Sequence, residues 1–215
     1  MWRESGARAP LPSPEPRRDP RTLAAWLRAA IDRLIAGSSL VATGPVLDMR
    51  TFTWTALLRD HWRTIRDEAL PVLPAAGGTG TLVLWRRGAD VAAHCPETLR
   101  IVAAIPGLDS VALALLPPGS HRPIGRGATK GLITCHLGLV VPRDGDVRMR
   151  IGDRVVRWSE GETLVFDDTY PHELWNEASG PRIVLRLRFD RPLRNPGKWV
   201  AERTRRLSAR DGHEA

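Results

Sequence analysis

The stretch that decides the fold is W-S-E-G-E-T-L-V-F-D-D-T-Y-P-H-E-L-W-N, which occupies Trp158–Asn176. Its apolar run Thr163–Phe166 ends in two aspartates, and a turn that contains proline then leads to His172. Such a strand and turn place the imidazole at the mouth of a sheet. Leu174 and Trp175 are expected to bury the neighbouring face of the chain.

Short apolar runs lie on both sides of this stretch and are separated by Gly, Asp and Pro turns. They are Thr81–Trp85, Val111–Leu116, Ile133–Val141, Val147–Ile151, Arg154–Trp158, Thr163–Phe166 and Ile183–Phe189. Apolar residues alternate strictly with others, including arginines, over Arg182–Phe189, which predicts a half-buried strand. About seven or eight antiparallel strands of this kind predict a mainly β fold, a two-sheet jelly roll of the cupin type.

Helical patterns precede the strands. Asp19 and Pro20 read as an N-cap and a first-turn proline, and Gly37 reads as the stop of this first helix. A second helix is predicted over Thr55–Leu70, because four apolar residues form one stripe along it. These residues are Leu58, Trp62, Ile65 and Ala69. We expect both helices to pack on the jelly roll.

Composition divides the chain into three regions. Residues 1–18 are rich in Pro and Arg, which predicts disorder. Residues 19–193 are predicted to form one jelly-roll domain with its N-terminal helices. Residues 194–215 are predicted to form a basic tail with a short helix over Trp199–Leu207.

The charge and cysteine content limit the possible partners. The 215 residues carry a net charge of +8, supplied almost entirely by arginine. The arginines are spread along the chain, which argues against nucleic-acid binding, although a positive field favours anionic small substrates. The chain shows neither an apolar run of the ~18–20 residues that cross a bilayer nor a secretion signal. Two cysteines, Cys95 and Cys135, predict free thiols and a cytoplasmic protein without membrane partners.

Three of the six histidines lie in the strand region, namely His121, His136 and His172. His136 begins C-H-L-G-L in a strand, and Gly138 leaves space on the same face. Arg182 opens the next strand, and burying its guanidinium is costly unless it meets a carboxylate. Histidine, histidine and arginine in one barrel suggest a metal with an anionic dicarboxylate. The alternative is that these histidines have no ligand and only stabilise the core, because an inward histidine is more often a hydrogen-bonded core residue.

The motifs H-L-G-L-V-V-P at 136–142, the run at 158–176 and P-R-I-V-L at 181–185 resemble the aspartyl/asparaginyl β-hydroxylase family. Residues 52–70 resemble the helix that precedes the barrel of that family. The resemblance covers residues 50–192 and implies an Fe(II)- and 2-oxoglutarate-dependent dioxygenase on a double-stranded β-helix. It implies hydroxylation of an amino-acid-like substrate, free or carrier-bound, or of a lipid acyl chain.

The resemblance also implies roles for single residues. His172 matches the distal iron-binding histidine, and Arg182 matches the arginine that binds the far carboxylate of 2-oxoglutarate. His136 matches a histidine that contacts the other end of the cosubstrate. Most related oxygenases use two histidines and one carboxylate, whereas this family retains only the two histidines.

Three positions depart from the family pattern. The family has P-G-x-H-x-x-P-H-x-G, and this chain has P-G-S-H-R-P-I-G-R-G at 118–127. Gly125 therefore falls on the first iron-binding histidine. Thr134 falls on a cosubstrate-binding arginine, and Ala114 on a serine that contacts the cosubstrate.

Because glycine has no ligand atom, the second metal ligand stays open between His136 and His121, with Asp167 or Asp168 as possible oxygen donors. Two functions remain from the sequence. The first is a hydroxylase. The second is a catalytically degenerate family member that acts as a binding or interaction module, with a paralogue or a protein partner. In the second case, an ion pair between Arg182 and one of the two aspartates explains the arginine.

Overall fold

A computed structural model describes residues 20–73, 80–89 and 94–211, and the side chains of residues 26–73, 80–89 and 94–205. The prediction of disorder for residues 1–18 and the N-cap at Asp19 lie outside the described residues. The helices are α1 (Pro20–Gly37), α2 (Thr55–Asp60), α3 (Trp62–Ala69), α4 (Pro96–Val102) and α5 (Gly197–Asp211). The strands are β1 (Gly80–Arg86), β2 (Leu108–Leu116), β3 (Ser120–Gly125), β4 (Leu132–Val140), β5 (Val147–Ile151), β6 (Arg154–Arg157), β7 (Thr163–Phe166), β8 (His172–Asn176) and β9 (Arg182–Asp190).

The strands form two antiparallel sheets. The larger sheet has the order β1-β2-β9-β4-β7, and the smaller has the order β3-β8-β5-β6. Buried residues of both sheets, among them Met149, Phe166, Leu174 and Val184, pack together in the space between the sheets, which we call the lumen. A second core packs α2, α3 and α4 on the outer face of the larger sheet. The predicted jelly roll with helices packed on it is confirmed.

Strand β9 lies at the centre of the larger sheet, between β2 and β4. Its residues Ile183, Leu185, Leu187 and Phe189 belong to the helix-facing core, and Val184 belongs to the lumen. Because side chains alternate along a strand, Arg182, Arg186 and Arg188 share the lumen face. The prediction of a half-buried strand holds for residues 185–190, where buried and partly buried residues alternate, and is wrong for residues 182–184, which are all buried.

Two strands of the smaller sheet were not predicted from the sequence. β3 contains Pro123 and ends at Gly125, residues that interrupt a strand pattern, and β8 has only two apolar residues among its five. These strands pair with each other, and Gly125 lies directly opposite His172 in their register. The missed strands thus carry the two positions on which metal binding depends.

The segments outside the sheets differ in detail from the prediction. The predicted helix Thr55–Leu70 is two helices, because His61 leaves helical geometry between α2 and α3. Leu58, Ile65 and Ala69 are buried as predicted, whereas Trp62 is only partly buried. At the other end of the chain, α5 contacts α1, and the amide of Gly197 donates to Ser38 Oγ at 3.1 Å. The last segment therefore packs on the helices, and its helix is longer than the predicted Trp199–Leu207.

A candidate ligand site between the two sheets

The lumen brings three sequence-predicted residues into one aromatic network. The ring of His136 meets Phe166 edge-on at 4.9 Å, and Phe166 lies 6.4 Å from the ring of His172. Trp158 stacks with His136 at 6.1 Å and carries the guanidinium of Arg182 over its ring at 4.5 Å. His136, His172 and Arg182 therefore line one space, held by Phe166 and Trp158.

Arg182 is a buried cation without an anion. Its side chain belongs to a residue that is 3% exposed, and Nε and Nη1 have no hydrogen-bond partner among the described residues. Burial, followed by the positive charges of Arg122 and Arg186, lowers the pKa of Arg182 to about 9. Such a group destabilises the ligand-free protein, and an anionic ligand would offset that cost.

The two aspartates after β7 do not pair with Arg182. Asp167 is fully buried and forms ion pairs with Arg191 at 2.5 Å and Lys130 at 2.9 Å. Asp168 accepts a hydrogen bond from Thr134 Oγ1 at 3.0 Å, and its other carboxylate oxygen is buried without a partner. The structural explanation of Arg182 by an ion pair with either aspartate is therefore wrong.

His136 is buried and neutral. Burial, the largest cause, and the nearby charges of Arg182 and Arg186 lower its pKa well below the usual value. Its Nδ1 has no hydrogen-bond partner among the residues the structure describes. A neutral imidazole with a free nitrogen offers a ligand one hydrogen bond without an added charge.

The lowered pKa of His136 predicts a loss of stability in acid. The unfolded chain binds a proton at the ordinary pKa of about 6.5, and the folded state resists that proton. Stability is therefore present above that pH and is lost as the pH falls below it. Urea unfolding between pH 7.5 and 5.5 is expected to show a smaller pH dependence in His136→Gln than in the wild type. The exposed control His94→Gln should keep the wild-type slope, and an unchanged slope in His136→Gln would contradict a buried neutral imidazole.

His172 is held in a fixed orientation. Its Nδ1 lies 3.0 Å from the carbonyl oxygen of Tyr170. A carbonyl only accepts, so Nδ1 carries the proton and Nε2 keeps a lone pair. The side chain shares the inner face with Ile151, its buried partner on β5. Proteins hold metal-binding histidines in this way, and they hold hydrogen-bond acceptors in the same way.

The structure does not bring His121 to His172. His121 lies opposite Trp175 in the register, stacks on its ring at 5.1 Å and places Nε2 3.1 Å from Glu173. Residues 173 and 175 point to the outer face of β8, whereas His172 points inward. His121 as the second metal ligand is therefore wrong in this structure, and His136 is the remaining histidine in the lumen.

The residues present fit a dicarboxylate better than the metal pair that the resemblance implies. Gly125 stands directly opposite His172 and contributes no side chain. Among the described residues, no three His, Cys, Asp or Glu side chains group as a metal site. The unpaired guanidinium of Arg182, in contrast, suits a carboxylate, and the free nitrogen of His136 offers a hydrogen bond in the same space.

The glycine-rich segment has one position that requires glycine for packing. The amide of Gly127 donates to the carbonyl of Asp168 at 2.6 Å, and a Cβ at this position would lie 1.9 Å from Asp168 Oδ1. At Gly125, in contrast, a Cβ would meet nothing within 4 Å. The segment thus packs closely on Asp168 at Gly127, while Gly125 leaves open space beside His172.

Sequence reasoning missed Arg186, Arg122 and Trp158 as parts of the lumen. The alternation in Arg182–Phe189 places Arg186 on the face of Arg182, which was a usable signal. That this face meets a second sheet depends on the missed strands β3 and β8. Arg122 and Trp158 carry no such signal in the sequence.

A separate cavity of about 990 Å³ lies between α1, α5 and the end of β9. Its lining includes Leu27, Ile31, Trp54 and Phe189. None of His136, His172 and Arg182 lines it, so this cavity is not the candidate site.

The family model described as Aspartyl/Asparaginyl beta-hydroxylase matches residues 59–192, which is more than half of the chain. The chain belongs to this family. A relative named ornithine lipid ester-linked acyl 2-hydroxylase, from Rhizobium tropici, is 35% identical over 73% of this chain and 64% of its own length. The human aspartyl/asparaginyl beta-hydroxylase is 29% identical over 60% of this chain and 20% of its own length. Family members named in this way are hydroxylases, and the chain spans less than two thirds of either relative.

Similar solved structures include the cupin domain of Cnp3 from Schizosaccharomyces pombe, with a TM-score of 0.39 and 11% identity over 57% of this chain and 72% of that one. A double-stranded beta-helix protein from Klebsiella pneumoniae has a TM-score of 0.38 and 13% identity over 60% of this chain and 90% of that one. Within the described residues of this family member, no helix has both the length and the apolar character needed to span a bilayer.

Proposed function

We propose that this chain is a 2-oxoglutarate-dependent hydroxylase that binds the cosubstrate in the lumen between Arg182 and His136. The observation that carries the proposal is the buried guanidinium of Arg182, which lacks an anion. Membership of the hydroxylase family supports it. The names of two relatives support a substrate that is amino-acid-like or a lipid-linked acyl group.

The chain's own residues have separate roles in this proposal. Arg182 binds the far carboxylate through the two nitrogens that have no partner, and Trp158 beneath the guanidinium fixes its plane. The neutral His136 hydrogen-bonds the other end of the diacid. Thr134 already donates to Asp168, so it does not replace the arginine that the family pattern places there.

Iron(II), which the family resemblance implies, would supply the activation of dioxygen when bound. His172 offers one nitrogen from its fixed ring, and Gly125 offers none. The chain's residues therefore do not provide the two-histidine pair of the family. A second metal ligand from His136, as well as a cytoplasmic location and a protein partner or paralogue, stays a prediction from the sequence.

The glycine at position 125 favours a second candidate function, a degenerate family member that binds a diacid without hydroxylating a substrate. Both functions share the anion site at Arg182. They differ in metal dependence, because binding of 2-oxoglutarate to a module does not strengthen when Mn(II) is added.

Calorimetry with two 2-oxoacids tests the shared site. Wild-type protein should bind 2-oxoglutarate about 10- to 100-fold more tightly than 2-oxobutyrate, which lacks the far carboxylate, because hydrogen bonds to charged groups contribute about 1.5–3 kcal/mol. In Arg182→Leu the two acids should bind equally weakly. Equal affinities in the wild type would overturn the proposal. Titrations with and without Mn(II) then separate the hydroxylase from the module.

A further inference from the structure

A second unpaired arginine lies in the lumen beside the proposed cosubstrate site. Arg186 stands on β9 with Ala112 of β2 on one side and His136 of β4 on the other. Like Arg182, it points into the lumen, because the two residues are four positions apart in one strand. Burial is the largest cause that lowers the pKa of Arg186, the charges of Arg188 and Arg122 add to it, and the charge of Asp168 opposes it.

A third arginine, Arg122, lies on the inner face of the smaller sheet and is itself exposed to solvent. Arg122 of β3 lies opposite Leu174, which packs in the lumen, so the two residues share the inner face. The positive charge of Arg122 lowers the pKa of Arg182, of Arg186 and of His136. The charges of both sheets therefore act on one region.

The described residues neutralise these charges only in part. Arg122 and Arg186 have no hydrogen bond or ion pair with them, and the carboxylate of Asp168, which lies 3.8 Å from Arg188 and accepts from Thr134, acts on Arg186 only at longer range. Arg186 and Arg188 thus share the carboxylate of Asp168, and Arg122 adds a further positive charge to this region. Arg148 and Arg157 of the smaller sheet, in contrast, are both paired with Asp146. Arg150 on the outer face likewise meets Glu173 at 2.7 Å.

A single carboxylate does not contact both Arg182 and Arg186. The Cα atoms of Arg182 and Arg186 are about 13 Å apart along β9, from a rise of about 3.3 Å per residue. A carboxylate held by Arg182 leaves Arg186 and Arg122 to meet a different anionic group. Ala112 beside Arg186 has a small side chain, so it adds little volume between the sheets at this point.

We propose that Arg186 and Arg122 form a second anion subsite, which binds a carboxylate or phosphate of the substrate while Arg182 binds the cosubstrate. This inference rests on the proposed function and narrows it. The substrate is then an anionic molecule, and its reactive group lies within reach of a charged anchor. A neutral acyl chain alone does not fit.

Calorimetry with two probes tests the subsite. Wild-type protein saturated with 2-oxoglutarate is titrated with N-acetylaspartate and with inorganic phosphate. At least one probe should bind, and the tighter probe identifies the class of the substrate's anion. Arg186→Gln and Arg122→Gln should each weaken that probe by about 10-fold or more, and 2-oxoglutarate by less than about threefold. Arg150→Gln removes an equal charge from the outer face and should change neither affinity.

The outcomes separate this inference from the proposed function. Probe binding that depends on Arg186 supports the subsite even when 2-oxoglutarate does not bind, in which case only the cosubstrate proposal fails. Binding of 2-oxoglutarate without either probe overturns the subsite and leaves the cosubstrate site standing. Equal weakening by Arg150→Gln also overturns it, because the effect then comes from net charge. Circular dichroism checks the fold of each variant. Because Arg122 is exposed, we expect Arg122→Gln to disturb the core less than Arg186→Gln does.

Discussion

Replacing Gly125 by histidine is expected to raise the affinity for Mn(II) by about 100-fold or more. Gly125 and His172 are direct partners in antiparallel strands, so their side chains would lie on one face about 5 Å apart at Cβ. A Cβ at Gly125 meets nothing within 4 Å, and its backbone does not require glycine. Loss of a group that merely orients a ligand costs about 10- to 100-fold in metal affinity, so gain of a direct ligand should give at least that much.

Calorimetric titration with Mn(II) measures this gain. Gly125→Ala fills the same space without a ligand atom and should bind the metal as weakly as the wild type. Gly125→His combined with His172→Ala should return to that level, because one imidazole remains. If the wild type already binds Mn(II) as tightly as the variant, the chain holds a second ligand that the described residues do not reveal.

Arg182→Met is expected to stabilise the ligand-free protein and to abolish its response to 2-oxoglutarate. The guanidinium is buried with two unpaired nitrogens, so the substitution removes an uncompensated charge and keeps much of the volume. Exchange of buried ionic groups for apolar ones often stabilises by about 1–4 kcal/mol. Wild-type protein should gain stability when 2-oxoglutarate is added, and the variant should not.

Urea unfolding of Arg191→Met provides the matched control. Arg191 is equally buried but pairs with Asp167 at 2.5 Å, so its loss leaves Lys130 as the cationic partner of that buried carboxylate. This control should be destabilised, the opposite sign to Arg182→Met. Destabilisation of both variants to the same extent would show that Arg182 has a partner within the protein.

The motif at Trp158–Asn176 and the strict apolar runs were sufficient to predict the jelly roll and its helices. They were not sufficient to predict β3, because proline and glycine interrupt its pattern and its pairing with β8 is non-local. The inward orientation of His172 followed from the motif. The outward orientation of His121 did not follow from the sequence, because it depends on the register of β3, a strand that the sequence pattern does not predict.

The burial of the arginines between two sheets was not predicted for the same reason, because it depends on non-local strand pairing. The alternation in β9 placed Arg182 and Arg186 on one face, but the local sequence does not tell whether that face meets water or another sheet. The position of Gly125 relative to His172 was likewise inferred from the resemblance. The strand register now gives it an independent geometric basis.

Adjacent residues of β9 belong to different layers of the molecule, since odd positions pack beneath the helices and even positions line the lumen. The residues that contact a ligand and the residues that stabilise the fold therefore lie on opposite faces of the same strand. Such a strand can exchange one recognition chemistry for another while its apolar side continues to hold the helices in place. A change on the lumen side of the strand thus leaves the scaffold free to serve a new ligand.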